Sequence, residues 1–125
     1  MKKVFFYGSK NLDNLRQILG LDQIMFDPVI MYNYVRIFTG YSETHGCSPC
    51  TIIKGDGYHT TGFMVNLTER QLHDIHKTEG YRPNRSEHEN SYTFHKLAPV
   101  IVKNRRTQQF SIENKLFTYT KTSAK

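Results

Sequence analysis

Leu67-Thr68-Glu69-Arg70-Gln71-Leu72-His73-Asp74-Ile75-His76-Lys77-Thr78-Glu79-Gly80 is a helix with both of its ends written into the sequence. Thr68 can cap the first turn, and Gln71 three residues on completes a capping box. Leu67 before the cap and Leu72 at the fourth helical position can form a hydrophobic staple. The helix is expected to run to about Glu79 and to stop at Gly80, where a C-terminal glycine belongs. Leu72, Ile75 and Glu79 share one stripe at i, i+3 and i+7, with His73, His76 and Lys77 on other faces. A carboxylate on a core-facing stripe is unusual, because burying an unpaired charge is costly. In the last turn it also meets the negative end of the helix dipole, and both effects raise a carboxyl pKa. Glu79 is therefore a candidate general acid/base. The same spacing also fits a glutamate at the stripe's edge that reaches solvent past the helix end.

The flanking sequence supplies strands. Upstream, Lys54-Gly55-Asp56-Gly57 separates Thr51–Ile53 from Tyr58–Leu67, and its glycines suit a hairpin turn. Gly62, inside the second segment, marks a bulge or a close backbone approach. Lys3 to Tyr7 is β-branched and aromatic, as in a buried strand. Gly8-Ser9 breaks it, and a helix follows with Leu12, Leu15, Ile18 and Leu19 on one stripe and Gly20 at its end. Pro28 to Thr39 is a long strand candidate, and Gly40 to Ser48 is a polar loop. Downstream, Arg82 to Asn90 is a charged loop, and Ser91–Val102 and Leu116–Lys121 are strand candidates. Six or so strands with two short helices, outside strict βαβ alternation, give an α+β fold and a small barrel.

The chain of 125 residues is the size of one domain, and 38% hydrophobic residues suffice for one core. Residues 1–125 are read as a single domain with a basic C-terminal segment from about Lys96. No apolar run is long enough to span a bilayer, and no apolar stretch follows Met1-Lys2-Lys3 as in a signal peptide. The expectation is a cytoplasmic protein with no membrane contact.

The net charge of +6 is unevenly spread. Up to residue 95 the charges balance; beyond it Lys96, Lys103, Arg105, Arg106, Lys115, Lys121 and Lys125 face only Glu113. Such an end can bind phosphates, keep a hairpin solvated, or draw in an acidic small molecule. No aromatic-interleaved basic motif or recognition helix accompanies it, which argues against nucleic acid as the partner. Cys47-Ser48-Pro49-Cys50 lacks a second CxxC for zinc and leads into a strand, where a redox motif would lead into a helix. The pair reads as two reduced cysteines, and no metal or cofactor is expected.

Tyr7-Gly8-Ser9 ends the first strand and opens the first helix, where unpaired backbone N–H groups can hold an anion. This triplet resembles the Tyr-Gly-Ser signature of the gamma-glutamylcyclotransferase-like family. Gly55 to Gly80 resembles that family's second signature: a glycine turn, a strand with internal Gly62, Leu67, and a helix ending in Glu79-Gly80. Gly46 to Ile53 is similar to its small-residue strand, and the likeness runs from about Val4 to Val102. The resemblance implies a small mixed β-barrel with two short flanking helices. It also implies an enzyme that closes the gamma-glutamyl group of its substrate into 5-oxoproline and releases an amino acid or amine, without a cofactor. Glu79 would move the protons, and Tyr7, Gly8 and Ser9 would hold the substrate carboxylate and the developing oxyanion.

The chain departs from the family at Lys10, where enzymes acting on free gamma-glutamyl amino acids usually have Asn. It departs again at His76, where Asp is common. The family's ligand-contacting tyrosines map to Tyr92 and Tyr119. Lys10, Tyr92 and Tyr119 thus complete the candidate substrate-binding set. The alternative is a non-catalytic module that uses the same pocket for an acidic or phosphorylated small molecule.

Overall fold

Alternation along Lys2–Phe6 sends Val4 and Phe6 to one face and Phe5 to the other, and all three are buried. A strand buried on both faces must be interior to its sheet and covered on both sides. Removing three such side chains from water contributes about 1.5–3 kcal/mol each.

The computed structural model describes residues 1–7, 12–38, 50–79, 81 and 92–121, the side chains of Phe38, Cys50, Glu79 and Lys121 excepted. The elements run β1 (Lys2–Phe6), α1 (Leu12–Leu19), β2 (Asp27–Phe38), β3 (Cys50–Leu67), α2 (Glu69–Glu79), β4 (Tyr92–Lys96), β5 (Val100–Asn104), β6 (Phe110–Glu113) and β7 (Leu116–Lys121). The strands form one seven-stranded sheet in the order β4-β7-β1-β3-β2-β5-β6, curled into a half-barrel. The sheet is mixed because β1 runs parallel to β7, while the other pairs are antiparallel. Curling brings non-neighbours together: Lys3 on β1 meets Glu113 on β6 at 2.8 Å. Phe5, Val29, Met31, Val102 and Leu116 fill the inside of the curl. Outside, Val4, Phe6, Val65 and Leu67 pack against Leu15 of α1 and Leu72 and Ile75 of α2. Among the described residues no helix is long and apolar enough to cross a membrane.

Both helices end and begin as the residue types dictate. Gln71 N–H donates to the Thr68 hydroxyl at 3.2 Å, and the Gln71 side chain accepts from Thr68 N–H at 2.9 Å. Leu67 and Leu72 are buried in the same outer cluster. At the end of α1, Gly20 takes φ +67° and Leu21 N–H reaches back to the Arg16 carbonyl at 3.1 Å. That six-to-one bond satisfies a helix-end carbonyl that would otherwise be left over.

Three expectations need correction. Lys54-Gly55-Asp56-Gly57 is no hairpin turn; the chain runs on through it as the single strand β3. Tyr34 pairs with Lys54 and Tyr32 with His59, so the glycine segment bulges opposite Asn33 alone. Gly57, at φ +84°, donates its N–H to Asn33 Oδ1 at 3.2 Å, and Asn33 itself sits at φ +65°. Glycine's freedom at positive φ serves a bulge as well as a turn.

Secondly, Ser91–Val102 is two strands and not one. Leu97-Ala98-Pro99 turns the corner between β4 and β5, and Leu97 is buried inside the curl with its N–H on the Leu116 carbonyl at 2.8 Å. Pro99 has no N–H to give a sheet ladder. Thirdly, β6 was not foreseen. It forms a hairpin with β5 through a turn in which the Asn104 side chain accepts from the Arg106 and Thr107 amides. The Gly40–Ser48 and Arg82–Asn90 loops lie outside the described residues.

Candidate functional site

Helix α2 starts beside the N-terminal end of β1, where Lys2 and Glu69 pair at 2.7 Å. It runs back along the outside of the sheet in the direction of β1. Eleven helical residues cover about 16 Å. Five strand residues cover about the same. The last turn of α2 therefore arrives level with Phe6 and Tyr7. The register brings other residues to that end: Phe5 lies opposite Thr118, so Tyr119 is level with Phe6, and Phe94 lies opposite Tyr119.

A chain of neutral hydrogen bonds joins these elements. The Tyr7 hydroxyl donates to the Tyr119 carbonyl. The Tyr119 hydroxyl, in a residue only 4% exposed, lies 2.6 Å from His76 Nδ1. The His76 ring stands edge-on to Phe94 at 4.8 Å and to Tyr81 at 4.9 Å. Tyr81 N–H donates to the His76 carbonyl at 2.9 Å, closing the helix in the same six-to-one pattern as α1. Burial pushes the His76 imidazole below its ordinary pKa, the positive charge of nearby His73 adds to that, and Glu69 opposes it.

Of the residues expected at the site, the structure brings Tyr7 and Tyr119 into direct contact. Tyr92, half-buried on the same side of β4 as Phe94, lies opposite Lys121 toward the same end of the sheet. Glu79 closes α2, three residues past His76, and its side chain lies outside the described residues, as do Gly8, Ser9 and Lys10. The helix spacing puts His76 on another face than Leu72 and Ile75, yet its ring turns inward onto Tyr119. The signal was available: His76 follows Leu72 by four residues and so flanks the buried stripe.

Among the described residues no three His, Cys, Asp or Glu side chains gather as a metal site. Cys47 lies outside the described residues, and Cys50 opens β3. A cavity of about 440 Å³ opens at the opposite end of β1, beside Lys2, Lys3, Glu113 and Lys115. Two of its lysines are already answered by Glu69 and Glu113. It therefore lies away from the tyrosine end and shares none of its residues.

No protein-family model matches the chain, and no curated protein sequence does. Solved structures do match. A gamma-glutamyl cyclotransferase superposes with a TM-score of 0.66 over 99% of this chain at 17% identity, and 68% of that protein is covered. The chain has the gamma-glutamyl cyclotransferase-like fold. An uncharacterised protein from Homo sapiens shares this fold with a TM-score of 0.68 at 18% identity, over 99% of this chain and 68% of its own. A protein from Arabidopsis thaliana shares it with a TM-score of 0.62 at 21% identity, over 97% of this chain. The chain spans 62% of that plant protein's length. Identities this low speak for the gamma-glutamyl cyclotransferase-like fold and leave the chemistry to the residues.

Proposed function

We propose that the chain is a cyclotransferase that converts a gamma-glutamyl compound to 5-oxoproline and releases an amino acid or amine. The observation that carries this reading is convergence: α2, ending in Glu79, and β1, followed directly by Tyr7, finish at the same end of a gamma-glutamyl cyclotransferase-like fold. Tyr7 and the backbone of Glu79, one from each motif that carries the family resemblance, thereby fall to one side of the sheet.

In this reaction Glu79 takes a proton from the substrate's α-ammonium. The freed amine attacks the γ-carbonyl carbon and a C–N bond forms, closing a five-membered ring. Backbone N–H groups of the Gly8-Ser9 segment receive the negative charge that develops on the carbonyl oxygen. Glu79 then gives its proton to the leaving nitrogen as the γ-amide bond breaks, and the second proton of the ring nitrogen passes to the released amine, leaving the neutral lactam and an ammonium product. Nucleophile and electrophile belong to one molecule, so holding the substrate folded supplies much of the advantage. A carboxylate at the negative end of a helix holds a proton more readily than one in water, which suits it to both transfers. Tyr92, Tyr119 and Lys10 are assigned to substrate contact.

The test is 5-oxoproline release from a gamma-glutamyl dipeptide, glutathione and a gamma-glutamyl-lysine isopeptide. Glu79→Gln, nearly isosteric, is expected to keep the fold and abolish turnover. Activity within about tenfold of wild type would remove Glu79 from the mechanism. Folded wild-type protein that releases nothing from any of the three would turn the reading toward a binding module for acidic small molecules.

A further inference from the structure

His76 sits where burial, aromatic packing and a hydrogen bond all bear on one imidazole. Its Nδ1 is 2.6 Å from the Tyr119 hydroxyl, and rings of Tyr81, Phe94 and Tyr119 stand edge-on to it with centroids 4.8–5.7 Å away. A phenol O–H is a stronger hydrogen-bond donor than a neutral imidazole N–H. With Tyr119 donating to Nδ1, the ring carries its own proton on Nε2. That arrangement requires His76 to be neutral. Tyr119 is engaged at both ends, since its carbonyl accepts from Tyr7. Three elements are thus tied through one residue: the end of β1, the middle of β7 and the last turn of α2.

We propose that His76 is a positioning residue: as a neutral imidazole it fixes Tyr119 and registers the last turn of α2, which carries Glu79, against β7. The proposal rests on the role given to Glu79 above. Its geometric basis is separate, because the bond to Tyr119 and the bond from Tyr81 N–H both end on His76 and on no other helical residue between them. Acid should disturb this arrangement: on protonation Nδ1 becomes a donor, its bond from the Tyr119 hydroxyl is lost, and a charge is placed among three rings.

Among the described residues the charged and titratable groups bearing on His76 are His73 and Glu69 from its own helix and Lys2 from β1, and the rings of Tyr81, from the segment after α2, and Tyr119, from β7, meet its own. Of these, His73 and Lys2 oppose a charge on His76 and Glu69 favours it. With a folded pKa below the unfolded value of 6.5, the unfolded chain binds the proton first as pH falls. Stability from this group is then complete above pH 6.5 and is lost as pH drops through the folded pKa.

Two variants of the full chain separate positioning from bulk. His76→Gln keeps an acceptor that does not titrate; His76→Phe keeps a ring and removes the acceptor. Imidazole ¹⁵N spectra of the wild type should show the Nε2–H tautomer at pH 8 and titration below 6.5. An Nδ1–H tautomer, or titration at or above 6.5, would overturn the proposal. Amide exchange at Tyr81 should quicken about tenfold or more in His76→Phe and stay near wild type in His76→Gln. Equal protection in all three proteins would show that His76 does not hold the turn. With a turning-over substrate, His76→Phe should lower kcat by about tenfold at nearly unchanged KM. His76→Gln should recover most of that and lose the acid limb of the wild-type pH profile. An unchanged kcat and profile in His76→Phe would also sink it. Absence of turnover in the wild type would instead count against the cyclotransferase reading, and the spectra and exchange rates would still decide the role of His76.

Discussion

The two ends of β1 are held by opposite kinds of contact. At the N-terminal end the polar contacts include ion pairs, the exposed pair of Lys2 with Glu69 at 2.7 Å and the part-buried pair of Lys3 with Glu113 at 2.8 Å. At the C-terminal end they include part-buried neutral bonds, from Tyr7 to the Tyr119 carbonyl and between Tyr119 and His76. Exposed ion pairs trade water for each other and contribute little. A buried neutral bond also contributes modestly while intact, but removing one partner strands the other away from solvent. The exposed Lys2–Glu69 pair can therefore be lost at small cost. The bonds at the other end each leave a stranded partner when broken.

The sharpest way to break this comparison is Gly62→Ala. A Cβ on Gly62 would sit 2.2 Å from the Phe6 carbonyl oxygen and 2.7 Å from the Phe5 ring. The nearer obstacle is backbone in a buried strand, so it cannot swing aside. A loss of about 3 kcal/mol or more in urea unfolding is expected. A loss under about 1 kcal/mol would mean that β3 can back away and that this end is not tightly set. Next in size is Tyr119→Phe. It leaves His76 Nδ1 without its donor among aromatic rings, and about 1–3 kcal/mol should be lost in the same measurement. A change below about 0.5 kcal/mol would place the two ends on an equal footing. The smallest effect belongs to Lys2→Ala. Its thermal midpoint should fall by about 2 °C or less at low salt, and the difference should vanish in 1 M sodium chloride. A large, salt-independent drop would show that the ion pair with Glu69 is a fixture of the helix start.

What could be seen in the sequence was local. Thr68, Gln71, Leu67 and Leu72 lie within six residues of one another, and the capping box and staple they imply are present. The stripe of Leu12, Leu15, Ile18 and Leu19 likewise faces the sheet. What escaped depends on distant partners. The Gly55–Gly57 segment has hairpin chemistry, and Asn33, 24 residues earlier than Gly57, makes it a bulge by accepting the Gly57 amide. His76 looks like a surface residue until Tyr119, 43 positions later, is brought against it. Of the candidate site, the spacing shows Glu79 as the last residue of α2 and Tyr7 as the point where β1 gives out, while the tie through Tyr119 and His76 is a relation no spacing rule encodes.

The parallel pairing of β1 with β7 has a consequence for biosynthesis. The Thr118 hydroxyl bonds the Phe5 carbonyl across a separation of 113 residues. At about 5–20 residues per second, a ribosome needs roughly 6–20 seconds between making one partner and the other. For that interval a strand destined to be buried on both faces has an open flank. The nascent chain carries Val4, Phe5 and Phe6 through this period without β7, and only the later arrival of that strand covers the open flank of the first.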